Sequence, residues 1–310
     1  MATPNPKPLF VLTLDGGGAK GFYTLGVLKE VEAMTEAPLC QKFDLIFGTS
    51  TGAIIAALIA LGHSVDSIIE LYREHVPNVM SKKTASARSH TLASLANVIF
   101  GDSTFSDVKT GIGIVTANWL TERPMIFKGT LDQAHGRLNT FVPGFGVSIA
   151  DAVRASCSAY PFFERTVVKT SAGEEIELID GGYCANNPTL YAIADAVQAL
   201  KYERKDIRLL SVGVGEYPVP KPDLLMWLAK RFLVSVQLLQ KTLEINTQSM
   251  DQLRQILFYD VPTIRVNDSY TTPEMATDLL EHDLKKLDIL FQRGRESFAA
   301  REGQLRQHLS

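Results

Sequence analysis

Apolar positions in this chain fall into short unbroken runs that alternate with longer stretches of helical spacing. Leu9 to Leu14 is β-rich and closed by Asp15 and three glycines, and it reads as a short buried strand. From about Lys20 to Met34, Leu25, Leu28, Val31 and Ala33 or Met34 recur on one helix face. Phe43 to Phe47 is a second strand, Gly48 to Gly52 a tight turn, and Ala53 to Leu61 a helix apolar almost all round, which a protein buries. Strand, glycine turn and helix, repeated, is the rhythm of a parallel sheet with crossover helices.

The pattern loosens from His75 to Ser106. Ser, Thr, Ala and Lys dominate Ser81 to Ser94, which suits either a lid or a surface loop with a short helix. Lys82, Lys83 and Arg88 are expected to be solvated there. Strands are expected at Ile112 to Ala117 and Pro124 to Phe127, and a helix over Ile149 to Ser156, ending before Pro161. Thr166 to Lys169 and Glu175 to Ile179 suit a hairpin around Ala172-Gly173 that leads into Asp180. A helix over Thr189 to Leu200 and a strand over Ile207 to Val214 follow. Beyond Pro218 and Pro222, Leu224 to Ile256 is helical, with Trp227, Phe232, Val236, Leu239 and Leu243 on one side. After a Thr/Pro-rich break, Glu274 to Leu309 is helical again, with Met275, Leu279, Leu287 and Leu290 recurring. Both stretches are expected to pack on the sheet, the alternative being an oligomer or membrane surface.

Composition narrows the class. The 310 residues are 45% hydrophobic and 21% charged, ordinary globular usage that allows a real core. Lys and Arg number 31 against 34 Asp and Glu, so no global attraction draws the chain to nucleic-acid polymers or anionic lipid. Cys40, Cys157 and Cys184 form neither a disulfide framework nor a zinc site, which suits a reducing cytoplasm. The first residues carry no signal-like apolar stretch, and the longest apolar run, Ala53 to Leu61, falls short of the ~20 residues of a membrane span. Membrane contact is therefore expected to be peripheral, from the cytoplasmic face.

Three segments carry the candidate chemistry. Gly48-Thr49-Ser50-Thr51-Gly52 matches G-x-S-x-G, in which a serine between strand and helix takes strained backbone angles that push its hydroxyl into the open. Gly48 and Gly52 remove the Cβ atoms that would clash in so sharp a turn. The pattern alone recurs by chance, but here it lies between an apolar strand and an apolar helix, as the motif requires. Asp15-Gly16-Gly17-Gly18-Ala19-Lys20-Gly21 can present consecutive N–H groups to one oxyanion. A phosphate cradle is the weaker reading, since Ala-Lys-Gly replaces the Gly-Lys-Ser/Thr of a P-loop. Lys20 is expected to be a solvated helix-start lysine, with proximity to a substrate phosphate the alternative. Asp180-Gly181-Gly182 ends a strand; in isolation it is a turn aspartate, and beside the other two segments it is a general base.

Together these segments resemble the patatin-like phospholipase family, in the family's order. Ala155 to Phe163 and Asn187-Pro188 extend the likeness, which spans roughly Leu9 to Gly215. The resemblance implies an α/β fold, a three-layer α/β/α sandwich on a mainly parallel sheet, in one domain over 1–310 with a core of about 9–215 and a helical extension of about 222–310. It implies Ser50 as nucleophile, Asp180 as its sole partner, and the backbone of Gly16, Gly17 and Gly18 as oxyanion hole, with Asp15, Gly21, Gly48, Gly52, Gly181 and Gly182 in support. A triad would need a histidine after Asp180, and only His282 and His308 follow; neither succeeds a strand, and both are expected to be solvated. His63, His75, His90 and His135 lack metal-ligand spacing, and the chemistry calls for no metal or cofactor. Phe22, Tyr23, Tyr160, Phe162 and Phe163 are candidates for an acyl channel or for core packing. The expected activity is phospholipase A-type hydrolysis of membrane phospholipid. A carboxylesterase of non-lipid substrates and a non-enzymatic signalling module are the alternatives. The chain is also similar in architecture to phospholipase effectors of bacterial anti-phage (CBASS) signalling, which are switched on by cyclic nucleotides. That likeness implies a cyclic dinucleotide activator, with Pro218 to Ser310 and the segment Ser81 to Ser106 expected to carry ligand sensing or self-assembly.

Overall fold

The computed structural model describes residues 7–137, 139–218 and 230–310, with the side chains of 230–237 excepted. Its strands are β1 (Leu9–Leu14), β2 (Leu45–Thr49), β3 (Gly111–Asn118), β4 (Arg123–Lys128), β5 (Thr166–Lys169), β6 (Glu175–Asp180), β7 (Ile207–Val212) and β8 (Thr263–Val266). They form one sheet in the order β5-β6-β3-β2-β1-β7-β8, with β4 also pairing with β3. From β3 to β8 neighbouring strands run parallel, and β4, β5 and β6 add an antiparallel flank.

The helices are α1 (Gly21–Thr35), α2 (Leu39–Lys42), α3 (Thr51–Leu61), α4 (Val65–Met80), α5 (Ala85–Phe100), α6 (Ile149–Ser156), α7 (Gly182–Ala185), α8 (Thr189–Ala194), α9 (Lys230–Leu257), α10 (Leu284–Ala299) and α11 (Glu302–His308). Leu12, Leu14, Ile46 and Ile114 face one helical layer, where Leu25, Ile55, Val153 and Leu290 pack. Leu9, Val11, Leu45 and Phe47 face the other, with Ala192 and Ile193. Covering both faces explains why β1 is apolar at successive positions instead of alternating. The expected three-layer sandwich is what forms.

Four expectations need correction. Ser81 to Ser94 is no loop. Thr84 caps α5 by accepting the Ala87 N–H at 3.1 Å, and Leu92, Leu95, Ile99 and Phe100 supply its inward stripe. Arg88 is buried rather than solvated, donating to the carbonyl of Phe162 at 2.8 Å. Glu274 to Leu309 is not one helical run. Asp278 and Asp283 bond backbone N–H groups of Leu280 and Lys285 and interrupt it, and α10 begins only after Asp283. The Thr/Pro-rich break holds β8, four residues of parallel strand against β7. On α9, Leu239 and Leu243 are buried as expected, while Leu224, Trp227 and the side chains of Phe232 and Val236 lie outside the described residues.

Candidate active site

Ser50 stands between β2 and α3 at φ 52°, ψ −123°, a conformation an L-residue adopts only under constraint. The constraint is close packing. A Cβ on Gly48 would strike the backbone of Gly52, and one on Gly52 would strike the carbonyl of Leu14 in β1. The Ser50 N–H donates to Ser156 Oγ at 2.9 Å, and Ser156 in turn donates to the Val115 carbonyl at 2.7 Å. The end of α6 therefore fixes the serine's backbone from across β3.

Strand register brings Asp180 to the same level. Thr49 pairs with Val115 and Thr116 pairs with Asp180, so Ser50 and Asp180 flank β3 in one row. Asp180 is buried, and its Oδ1 accepts the Gly182 N–H at 2.7 Å. Burial pushes its carboxyl up to about 7, against the opposing pull of the Gly182 N–H and a hydrogen bond from the Ser50 hydroxyl. Cys157 lies beside the pair, and burial followed by the Asp180 charge raises its thiol well above the ordinary range. No histidine joins them. His282 is exposed on a turn; His308, expected to be solvated, is half-buried and bonds the Leu209 carbonyl at 3.1 Å.

The triglycine loop closes the third side, though not with all three residues. Gly16 N–H is already committed to the Asn186 carbonyl at 2.9 Å, which removes it from the expected set of oxyanion donors. The N–H groups of Gly17 and Gly18 have no acceptor among the described residues, and both residues border the Ser50 cavity. Gly18 sits at φ 58°, and a side chain there would collide with the Leu279 backbone.

Partners far along the chain hold this loop. Asp15 forms a two-pronged ion pair with Arg265 of β8, at 2.9 and 2.5 Å, and Arg265 also reaches Ser211. Asn186 Nδ2 bonds the Gly16 carbonyl and Thr247 of α9, while Asn246 of α9 accepts the Asn186 N–H at 2.8 Å. Lys20, expected to be solvated, is 3% exposed and faces Glu244 of α9 at 3.7 Å. Its burial lowers the ammonium's pKa, an effect that Glu244 and Asp278 oppose. Ser156, Asn186, Asn246, Glu244 and Arg265 were not singled out by the sequence. Only Ser156 lay inside a segment flagged for the catalytic motifs; all five act across long chain separations that the sequence does not mark.

From Ser50 a narrow cavity of about 110 Å³ runs between α3, α4 and α5. Its wall includes Ile54, Leu58, Val79, Leu95, Phe162 and Phe163, so two of the five candidate aromatics border it. Phe22 and Tyr23 are instead core residues, and Tyr160 is exposed. His75 of α4 also borders the cavity.

A hydroxyl on a strained elbow, a buried carboxylate and two amides without an acceptor among the described residues meet above an apolar cavity on a largely parallel α/β/α scaffold, an arrangement suited to a hydrolase. The chain belongs to the patatin-like phospholipase family, whose model matches residues 12–193. It is 71% identical to a cUMP-AMP-activated phospholipase of Escherichia coli over 299 residues, covering 96% of this chain and 93% of that protein. A cGAMP-activated phospholipase of Vibrio cholerae is 26% identical over 237 residues, covering 66% of this chain and 64% of that one. Among solved structures, VipD from Legionella pneumophila overlays with a TM-score of 0.49 at 13% identity, over 97% of this chain and 67% of its own.

Proposed function

We propose that this protein hydrolyses fatty-acyl esters of membrane phospholipids through a Ser50–Asp180 dyad, under the control of a cyclic dinucleotide. The observation that carries the chemistry is the Ser50 hydroxyl set against a buried carboxylate at the mouth of an apolar cavity. Asp180 takes the hydroxyl proton as Ser50 attacks the acyl carbonyl. The developing oxyanion lies against the Gly17 and Gly18 N–H groups. The tetrahedral intermediate collapses to an acyl-enzyme, and Asp180 passes the proton to the departing lysophospholipid oxygen. Water, deprotonated by Asp180, then attacks the acyl-enzyme, and the proton returns to Ser50 as the fatty acid leaves.

Control by a cyclic dinucleotide, cUMP-AMP in the first instance, rests on the similarity to the E. coli enzyme. The narrowness of the cavity supports it. About 110 Å³ is below the ~300–1,000 Å³ of sites that enclose a ligand, which suits a site that an activator widens. No helix among the described residues is long and apolar enough to cross a membrane. Peripheral contact is favoured by an exposed patch of Trp119, Leu120, Tyr160 and Val167, since Trp and Tyr settle at the headgroup level. Tyr160 adjoins Ala159 and Phe162 of the cavity wall.

The test is fatty-acid release from phosphatidylethanolamine/phosphatidylglycerol vesicles, with and without cUMP-AMP, alongside labelling by a fluorophosphonate probe. Wild type is expected to release fatty acid in the presence of cUMP-AMP and to be labelled at Ser50. Ser50→Ala is expected to do neither. Unimpaired release by Ser50→Ala would remove the dyad.

A further inference from the structure

Away from Ser50, a second cleft of about 420 Å³ opens over the segment that joins β4 to α6. Lys128, His135 and Arg137 bring nitrogen-bearing side chains to its wall, and Phe141 and Phe145 bring aromatic rings. We propose that this cleft is the binding site for the cyclic dinucleotide activator, an inference that rests on the reading of cyclic-dinucleotide control given above.

A cyclic dinucleotide presents two phosphodiester anions and two flat bases, so its site needs cations and aromatic faces within a few ångströms of each other. Here the cations are set in place from behind. The buried Asp195 carboxylate accepts from Lys128, from His135 Nε2 at 2.7 Å and from Gln133 at 3.1 Å. Lys128 neutralises Asp195, while exposed Arg137 has no acidic partner among the described residues and supplies the free positive charge. Phe145 is held in the left-handed region at φ 55°, between Gly144 and Gly146 of the same hand, and keeps 44% of its surface exposed. One edge of the ring packs on Phe127, and the strained backbone leaves the rest of it open to a ligand.

A larger cleft of about 580 Å³ lies beside the glycine loop, and its charge rules against it. Its one lysine, Lys20, already faces Glu244, Glu216 adds a second carboxylate, and Asp15, paired with Arg265, a third. Two phosphates would meet a net negative surface there.

The chosen cleft is also wired to the catalytic site. Phe145 packs edge-on against Phe127, Phe127 stacks on Phe105, and Gly144 lies so close to Phe105 that a Cβ would enter its ring. Phe105 follows α5, the wall of the acyl cavity. On the other side the segment runs into Ser148, the cap of α6, whose last residue, Ser156, holds the Ser50 N–H. A ligand that draws Arg137 and Phe145 inward therefore shifts both α5 and α6.

The experiment measures cUMP-AMP binding by titration calorimetry and cUMP-AMP-stimulated vesicle hydrolysis, for the full chain and for Arg137→Glu, Phe145→Ala and, in the rival cleft, Gln252→Ala. Thermal melting checks that each variant is folded. The expected result is at least tenfold weaker binding and loss of stimulation for Arg137→Glu and Phe145→Ala, with Gln252→Ala matching wild type. Folded Arg137→Glu and Phe145→Ala that bind as wild type does, or loss confined to Gln252→Ala, overturns the site. So does loss of vesicle association with nucleotide binding intact, which would make the cleft a membrane contact. A wild-type protein that neither binds nor responds to cUMP-AMP overturns the control reading itself, a result separable from failure at the site.

Discussion

Asp180 carries the most consequential charge in the molecule, because its burial sets both the pH of action and a stability cost. With the carboxyl at about 7, proton acceptance from Ser50 needs pH above that value. Hydrolysis of a soluble short-chain ester is expected to rise through pH 7 and level off near pH 8, read as kcat/KM. Asp180→Asn removes the base and is expected to lower kcat by ~10²–10⁴-fold. The same shift makes a stability statement. A carboxyl raised in the folded state favours folding below its unfolded value of 3.8, and that advantage is lost as pH climbs through 7. Asparagine keeps an acceptor for the Gly182 N–H and carries no charge. Asp180→Asn should therefore melt higher than wild type at pH 8, by at most about 4 kcal/mol, with the gap closing toward pH 4. Equal melting temperatures at pH 8 would contradict the burial argument. Arg265 behaves oppositely. Arg265→Met strands Asp15 in the interior, and denaturant unfolding is expected to show a loss of ~3–5 kcal/mol.

At the scale of elements, the legible parts were those whose signal is local. β1 with its glycine loop, and β2 with Ser50 and α3, each announce themselves within a dozen residues through apolar runs and the glycines that close packing demands. The β5–β6 hairpin with Asp180 does so through its turn and alternation. α5 hid because Ser and Thr fill its solvent face, so composition masked a helical stripe of Leu92, Leu95, Ala96 and Ile99. β8 hid because four residues between a proline and an asparagine carry too little pattern to claim a place in a sheet. Lys20 and Arg88 were misjudged for one shared reason: a long cation near a chain break reads as solvated until tertiary structure supplies Glu244 or the Phe162 carbonyl. The α5 wall has its own test. Ile99→Trp fills the cavity, at a stability cost of ~1–3 kcal/mol. Release of long acyl chains from vesicles should fall at least tenfold, while acetyl ester hydrolysis stays within twofold of wild type.

Across the whole molecule, the core and the C-terminal part depend on each other. The C-terminal part is mainly helical, yet it adds β8 to the sheet, packs α10 on α1 and lends α9 to the glycine loop. Gly26 and Gly294 let α1 and α10 meet backbone to backbone, since a Cβ on either would strike the other helix. Truncation after Leu257 should therefore give a protein without a cooperative thermal transition. A truncated chain that melts sharply near the wild-type temperature would contradict this interdependence. Long-range pairings of this kind cannot be seen in a single sequence, because nothing at residue 15 or residue 186 marks which distant residue will answer it.

The Asp15–Arg265 pair spans 250 residues, and that distance orders events during synthesis. The glycine loop leaves the ribosome early, but its anchor is made ~12–50 s later at translation rates of ~5–20 residues per second. Until β8 emerges, Asp15 lacks its counter-charge, and the loop has only its contacts to Asn186 and Val212. The charge that braces the glycine loop is thus among the last parts of this lipid hydrolase to be put in place.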